Sequence, residues 1–142
     1  MLLQEGKILE TQGSLDHLVN REPRTAIGYN TDGTKVILLV VDGRQPGVSV
    51  GVPSKDLAAI LLNLGCTEAL NFDGGGSSTL YVKELGVINT PSEGSLRAVK
   101  NGLFITTPAT TDKEIAQIRF ADYAKKAEQN SYYSPVIYGY NC

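Results

Sequence analysis

The sequence predicts an α+β domain: a mixed β-sheet whose core runs strand, helix, strand, glycine loop, strand. Three observations predict it. Val36–Val41 is an unbroken apolar run, rich in β-branched residues and of strand length. Leu57, Ala58, Ile60, Leu61 and Leu64 fall on one stripe at helical spacing. Thr67–Phe72 is a second apolar stretch, and it opens directly into Asp73-Gly74-Gly75-Gly76.

The totals set the frame. A chain of 142 residues is one domain by size and long enough for a core. With 42% hydrophobic and 20% charged residues it has the composition of a soluble globular protein. A net charge of −2 gives no basic field for nucleic acid or an anionic membrane. No apolar run approaches the ~18 residues of a membrane span. Met1–Glu5 lacks the basic and apolar regions of a signal peptide, so any export signal is expected outside this chain. Cys66 and Cys142 show no metal-ligand spacing, and His17 stands alone.

Taken in order, Leu2–Leu18 reads as one or two short strands about Gly6 and Gly13. Pro23 biases Glu22 to an extended shape, and Thr25, Ile27 and Tyr29 then alternate as in a strand. Asn30-Thr31-Asp32-Gly33 is a hairpin signal. Val36–Val41 fits a central strand covered on both faces, ending in Asp42-Gly43-Arg44. After the Gln45–Val52 loop, Ser54 suits an N-cap, Asp56 the first helical turn and Gly65 the stop. Thr67–Phe72 reads as a second buried strand. If it neighbours Val36–Val41 in parallel, Asp42 and Asp73 emerge at the same sheet edge.

Thr79–Val82 is expected to be a third strand, Lys83–Gly86 a turn, Val87–Asn89 extended, Thr90–Gly94 a loop and Ala98–Thr106 a final strand. Thr107-Pro108-Ala109-Thr110 marks an edge between residues 1–107 and a C-terminal segment, 108–142. There Thr111 and Glu114 have capping-box spacing, and Ala116, Phe120, Tyr123, Ala124 and Ala127 share a helical face. Ala116, Ile118 and Phe120 also alternate, so a helix and the opening strand of a further module both fit. The tail Tyr132–Tyr140 is apolar and β-prone and needs covering, and the natural chain is expected to continue past Cys142.

Arg24-Thr25-Ala26-Ile27-Gly28, Asp42-Gly43-Arg44, the Leu57-Ala58 helix, Ala69–Thr79 and Asn89-x-Pro91-Ser92 with Arg97 follow one another in an order seen in one family. From about Leu2 to Thr106 the chain resembles the phosphodiester glycosidase domain of the lysosomal uncovering enzyme, N-acetylglucosamine-1-phosphodiester α-N-acetylglucosaminidase, and its bacterial relatives. The resemblance implies hydrolysis of a sugar-1-phosphodiester to free sugar and phosphomonoester, a mixed α/β fold and an exported setting. It covers the C-terminal part of that domain. The upstream half, or a second chain, is expected to complete it.

The residues carry that chemistry independently of the resemblance. Glycoside hydrolysis commonly uses two carboxyl groups flanking the scissile bond. Asp73 and Asp42, at the ends of apolar runs, are the best placed catalytic pair; Glu68 and Glu93 are weaker. Arg24, Arg44 and Arg97 can pair bidentately with phosphate oxygens. The N–H groups of Gly74, Gly75 and Gly76, with the hydroxyls of Ser77, Ser78 and Thr79, can form a nest for the same anion. Asn89 completes the candidate set. Plainer readings stand beside these: a tight strand connection with Asp73 as turn former, Arg24 paired with Glu22, and Asn89 capping a turn. Ser77 lacks an evident base to make it a nucleophile, and the loop lacks the Lys-Ser/Thr of a P-loop. No cofactor is expected, although a divalent cation held by Asp42, Asp73 and carbonyls is left open. A hydrolase acting on a sugar-phosphate diester or glycan is therefore expected, with a non-catalytic carbohydrate- or phosphate-binding module as the alternative.

Overall fold

The computed structural model describes residues 1–9, 16–100, 102–105, 117–120 and 137–140. They fall in two compact units, Met1–Val99 and Lys100–Cys142. The first unit is α+β. Leu3–Gln4 (β1) and Lys7–Ile8 (β2) form a hairpin whose corner, Glu5-Gly6, lies at positive φ. A short helix, Asp16–Val19 (α1), precedes Arg24–Tyr29 (β3), and a turn at Asn30–Gly33 returns the chain as Val36–Val41 (β4). That turn is held by side chains: the Thr34 hydroxyl and amide both donate to Asp32 Oδ1, and the Lys35 amide donates to Asn30 Oδ1. The Thr34 hydroxyl and amide keep the Asp32 carboxyl below its ordinary pKa.

Helix Ser54–Asn63 (α2) then crosses to Glu68–Asn71 (β5). Pro53, extended at φ −68° and ψ 159°, occupies the cap position, so Ser54 is the first helical residue and not the cap. Gly65, at φ +88°, ends the helix as expected. Lys35 Nζ also donates to the Leu64 carbonyl at 2.7 Å, placing a cation at the helix C-terminus.

The main sheet has the order β2-β1-β5-β3-β4, and each pairing in it is antiparallel. β3 separates β4 from β5: Ala26 faces Leu39 on one side and Asn71 on the other. The expected parallel relation between β4 and β5 therefore exists only across an intervening strand. The tight turn binds β4 to one edge of β3 and leaves the other edge for β5. Because both oppose β3, both still end at the edge where β3 begins.

α2 covers one face of this sheet. Leu57, Ala58 and Leu61 pack with Leu3, Ala26, Leu39, Cys66 and Ala69 into the core. β3 turns Ala26 and Gly28 into the protein and leaves the alternating set Thr25, Ile27 and Tyr29 on the other face. Close packing decides the phase, since a Cβ on Gly28 would stand 2.7 Å from Cys66 Sγ. On the other face Val36 is 54% exposed, Tyr29 46%, Leu70 40% and Phe72 37%. β4 and β5 are thus not the doubly covered strands their apolar runs suggested, and β4 is the outermost strand of the sheet.

Past β5, Gly75–Ser77 makes a 3₁₀ turn, and Tyr81–Val82 (β6) pairs with Gly86–Val87 (β7) in a separate hairpin. The third strand expected at Thr79–Val82 therefore lies outside the main sheet, because the 3₁₀ turn redirects the chain after Asp73. The described residues 98–100 and 102–105, expected as a final strand, carry none. Gly102 interrupts that segment, and Val99, Leu103, Phe104 and Ile105 are exposed. In the second unit Gln117–Phe120 (β8) pairs antiparallel with Ile137–Tyr140 (β9), Phe120 opposite Ile137. Ile118 and Phe120 of the alternating set thus lie on a strand, while the other residues of the expected helical face lie outside the described residues. Gly13, the 107–110 edge, Thr111 with Glu114, Ala116, Tyr123, Ala124, Ala127, residues 132–136 and Cys142 lie outside the described residues. Among the described residues, no helix is long and apolar enough to cross a membrane.

Candidate functional site

At the edge where β3 begins, Asp42 follows β4 and Asp73 follows β5. The glycine loop is pinned to the same place: the Phe72 amide donates to Thr25 O at 2.8 Å and the Gly75 amide to Pro23 O at 3.0 Å. Each of the three glycines has a group of this chain seated where a side chain would project. A Cβ at Gly74 would lie 2.6 Å from the Pro23 carbonyl oxygen. At Gly75, whose φ is +60°, it would stand 3.3 and 3.4 Å from Arg44 Nη2 and Nη1. At Gly76 it would collide with the Glu93 carboxylate and lie 2.7 Å from Arg97 Nη2. The glycines bring two guanidinium groups onto consecutive residues of the backbone.

Both arginines are paired with acids of this chain. Arg44 has φ +58°, a left-handed conformation unusual for a residue with a side chain, and its Nε donates to Glu22 Oε2 at 2.6 Å. Arg97 grips Glu93 with two bonds, Nε to Oε2 at 3.1 Å and Nη2 to Oε1. Partly exposed pairs of this kind contribute roughly 0–1 kcal/mol, so their effect is to fix geometry more than to stabilise the fold.

Arg24 differs from the other two. It is 3% exposed, with Nε donating to Val52 O and Nη2 to Asn20 O, each at 2.9 Å. Burial pulls its pKa below the usual value, and the charge of Glu22 partly offsets this. Its hydrogen bonds tie the segment before β3 to the loop before α2, and they commit Nε and Nη2 to backbone carbonyls.

The carboxylates also divide. Asp73 is exposed at the mouth of the loop, where Oδ1 accepts from the Gly74 amide at 3.0 Å. Asp42 is bound within the protein: Oδ1 accepts from Asn89 Nδ2 at 3.0 Å, and the Thr90 amide donates to both oxygens, at 3.2 and 3.0 Å. Asn89 Nδ2 also donates to Ser78 O, and Asn89 Oδ1 accepts from the Leu80 amide. Asp42 and Asn89 together lash the end of β4 to the segment leaving the glycine loop. Ser78 is buried, and its hydroxyl has no hydrogen-bond partner; Ser77 and Thr79 are half-buried.

Glu22 is not among the site residues expected from sequence, and Glu93 is among the weaker candidates. Two signals pointed to them: Glu22 lies between Arg21 and Arg24, and Glu93 stands four residues before Arg97. Among the described residues, no group of three or more His, Cys, Asp or Glu side chains converges as a metal site.

Comparison with known proteins places this edge in context. The chain is 44% identical over 88 residues to the SPbeta prophage-derived uncharacterized protein YomE of Bacillus subtilis (strain 168), a match covering 62% of this chain and 13% of that protein. The catalytic domain of zebrafish N-acetylglucosamine-1-phosphodiester α-N-acetylglucosaminidase, auto-inhibited by its pro-peptide, is 34% identical. Its match has a TM-score of 0.53 and covers 64% of this chain and 33% of that one. A Burkholderia pseudomallei K96243 protein, provisionally named as exported, is 44% identical with a TM-score of 0.47, over 51% of this chain and 14% of its own. The chain thus spans a third or less of each of these relatives. The glycine loop, both arginines and both aspartates lie within residues 1–106, the stretch matched by the family model described as phosphodiester glycosidase (NAGPA), and the chain belongs to that family.

Proposed function

We propose that this chain carries the anion-binding edge of a hydrolase that cleaves the glycosidic bond of a sugar-1-phosphodiester, yielding free sugar and a phosphomonoester. The observation that carries this reading is the seating of Arg44 and Arg97 on Gly75 and Gly76, next to an exposed Asp73. When the bond from the anomeric carbon to the phosphate oxygen breaks, negative charge grows on the departing phosphomonoester. The outer donors of Arg44, in place on Gly75, meet that charge, and Arg97 joins them once its pair with Glu93 opens; the Gly74 and Gly75 amides are bound to Asp73 and Pro23 and are not part of the clamp. The half-buried Ser77 and Thr79 hydroxyls supply further donors to the same group, whereas the Ser78 hydroxyl is shut inside the protein.

A phosphomonoester leaves more readily than an alkoxide, so one carboxylate suffices at the anomeric carbon. Asp73 takes that role, and water supplies the oxygen that replaces the phosphate. Asp42, with both oxygens already accepting hydrogen bonds, positions the loop exit through Asn89 and Thr90. Arg24 anchors the start of β3. An exported setting accords with the family resemblance.

A second reading, a non-catalytic phosphate- or carbohydrate-binding module, is favoured by the coverage: the match takes in 33% of the zebrafish chain. One assay separates the two. The purified chain is incubated with an N-acetylglucosamine-1-phosphodiester, and free sugar and phosphomonoester are measured. Turnover that disappears in Arg44→Gln supports the hydrolase; phosphate binding without turnover supports the module.

A further inference from the structure

The donors on Arg97 that would clamp a phosphate are already occupied. Nε and Nη2 form the bidentate edge of a guanidinium, the edge that matches two oxygens of one anion. In this structure that edge holds the two oxygens of Glu93, and the carboxylate lies directly on Gly76. Arg44 is arranged differently. Only its Nε is committed, to Glu22, while Nη1 and Nη2 face Gly75.

We infer that Glu93 is an internal anion held in the phosphate position of the site, and that substrate must displace it from Arg97. The inference rests on the phosphate-clamp reading above. Glu22 and Glu93 then do different things. Glu22 fixes Arg44 from behind and leaves its outer donors free. Glu93 competes with the ligand for the same donors, so it sets the threshold an anion must exceed. A dianionic or bidentate phosphate can exchange with the carboxylate. A neutral glycoside offers nothing to Arg97 in return, and the ion pair stays closed against it. Glu93 is accordingly a specificity-determining residue that selects anionic leaving groups. The exposure of the pair is suited to exchange: the side chains of Arg97 and Glu93 are 42% and 41% exposed, so opening them exposes no unpaired buried charge.

The test is calorimetric titration of inorganic phosphate into the full chain at low ionic strength, for the wild type, Glu93→Gln, Arg97→Gln and Arg44→Gln. Glu93→Gln keeps the shape and removes the competing charge, and it is expected to bind phosphate about tenfold more tightly, the gain from no longer breaking one charge-assisted pair. Arg97→Gln is expected to lose that gain when combined with Glu93→Gln. In the hydrolysis assay, Glu93→Gln is expected to lower KM for the phosphodiester more than it lowers kcat. Unchanged or weaker phosphate binding by Glu93→Gln, with wild-type binding that Arg44→Gln abolishes, would overturn the inference and leave the clamp standing. A loss of kcat with unchanged phosphate affinity would likewise overturn it, by making Glu93 a participant in the chemistry. No phosphate binding by any of the proteins would overturn the clamp and the inference together.

Discussion

The Arg44 guanidinium lies on Gly75, its Nη2 3.3 Å from where a Cβ would begin. Both residues adopt left-handed backbone, φ +58° for Arg44 and +60° for Gly75. Glycine occupies that region freely, but arginine does so at a cost, and such strain collects where a site needs one geometry. The space beside Gly75 is therefore held by a cation of the chain, which converts a flexible loop into a fixed surface for an anion.

Substituting Gly75→Val tests that relationship. A β-branched residue at φ +60° is strained and would push Arg44 off the loop. We expect a loss of about 1–3 kcal/mol in a urea unfolding titration, together with a loss of phosphate binding. Ser77→Ala, in the same loop, is expected to change stability far less. Equal effects from the two substitutions would show that the left-handed glycine is not what organises the loop.

Asp73 and Asp42 are expected to separate experimentally. Asp73→Asn keeps the shape and deletes the charge, so phosphomonoester release should vanish with the unfolding midpoint unchanged. Asp42→Ala removes the acceptor of Asn89 Nδ2 and the Thr90 amide, and leaving such donors unpaired costs about 1–3 kcal/mol. Its signature is faster hydrogen exchange at the Thr90 and Leu80 amides. A fully active Asp73→Asn protein would remove Asp73 from the chemistry.

Much of this was legible in sequence, for identifiable reasons. Gly65 stopped the helix at a positive φ that glycine adopts freely. The shared edge expected of Asp42 and Asp73, as ends of two apolar runs in neighbouring parallel strands, is reached instead through β3, which both strands oppose. What the runs could not tell was how many faces would be covered. Val36–Val41 has the composition of a central strand, yet it lies outermost, because strand order follows the Asn30–Gly33 turn and the crossover of α2. Nor could composition assign partners to the glycines. Arg44 is 31 residues from Gly75, and Glu93 is 17 from Gly76; only the fold brings them together. Arg24 resembles its two fellow arginines in sequence, and its burial and its bonds to the Val52 and Asn20 carbonyls set it apart.

The packing between Gly28 and Cys66 yields a further expectation. A Cβ at residue 28 would stand 2.7 Å from Cys66 Sγ, closer than real contacts allow. Gly28→Ala should therefore destabilise by about 1–3 kcal/mol through overpacking, and Cys66→Ala in the same protein should recover part of that loss. The thiol has its own pH signature. Burial raises the Cys66 pKa, and the nearby Lys35 charge opposes this only in part. A folded-state pKa above the unfolded one stabilises the fold below the ordinary thiol range. That contribution is lost as pH rises through the unfolded and then the folded value. Urea titrations from neutral to alkaline pH should show stability falling across that window, less so in Cys66→Ala. Identical pH profiles for the two proteins would remove Cys66 as the cause.

The uncovered face of the sheet gives the last prediction. Tyr29, Val36, Leu70 and Phe72 present large apolar side chains to solvent on the face opposite α2. The cross-strand pairs make them one surface: Tyr29 faces Val36, and Ile27 lies between Leu38 and Leu70. Its outer margin is β4, six apolar residues without a charge, proline or bulge to discourage another strand from pairing along it. Apolar sheet faces and open apolar edges of this kind mark contact surfaces or aggregation liabilities. We expect the isolated chain to self-associate, with static light scattering giving an average mass that rises with concentration. Val36→Lys should reduce that association without unfolding the protein, because residue 36 is exposed and starts the edge strand. The missing cover is proposed to be the rest of the family domain or a second chain. A stable monomer at all concentrations, indifferent to Val36→Lys, would show that this face needs no cover.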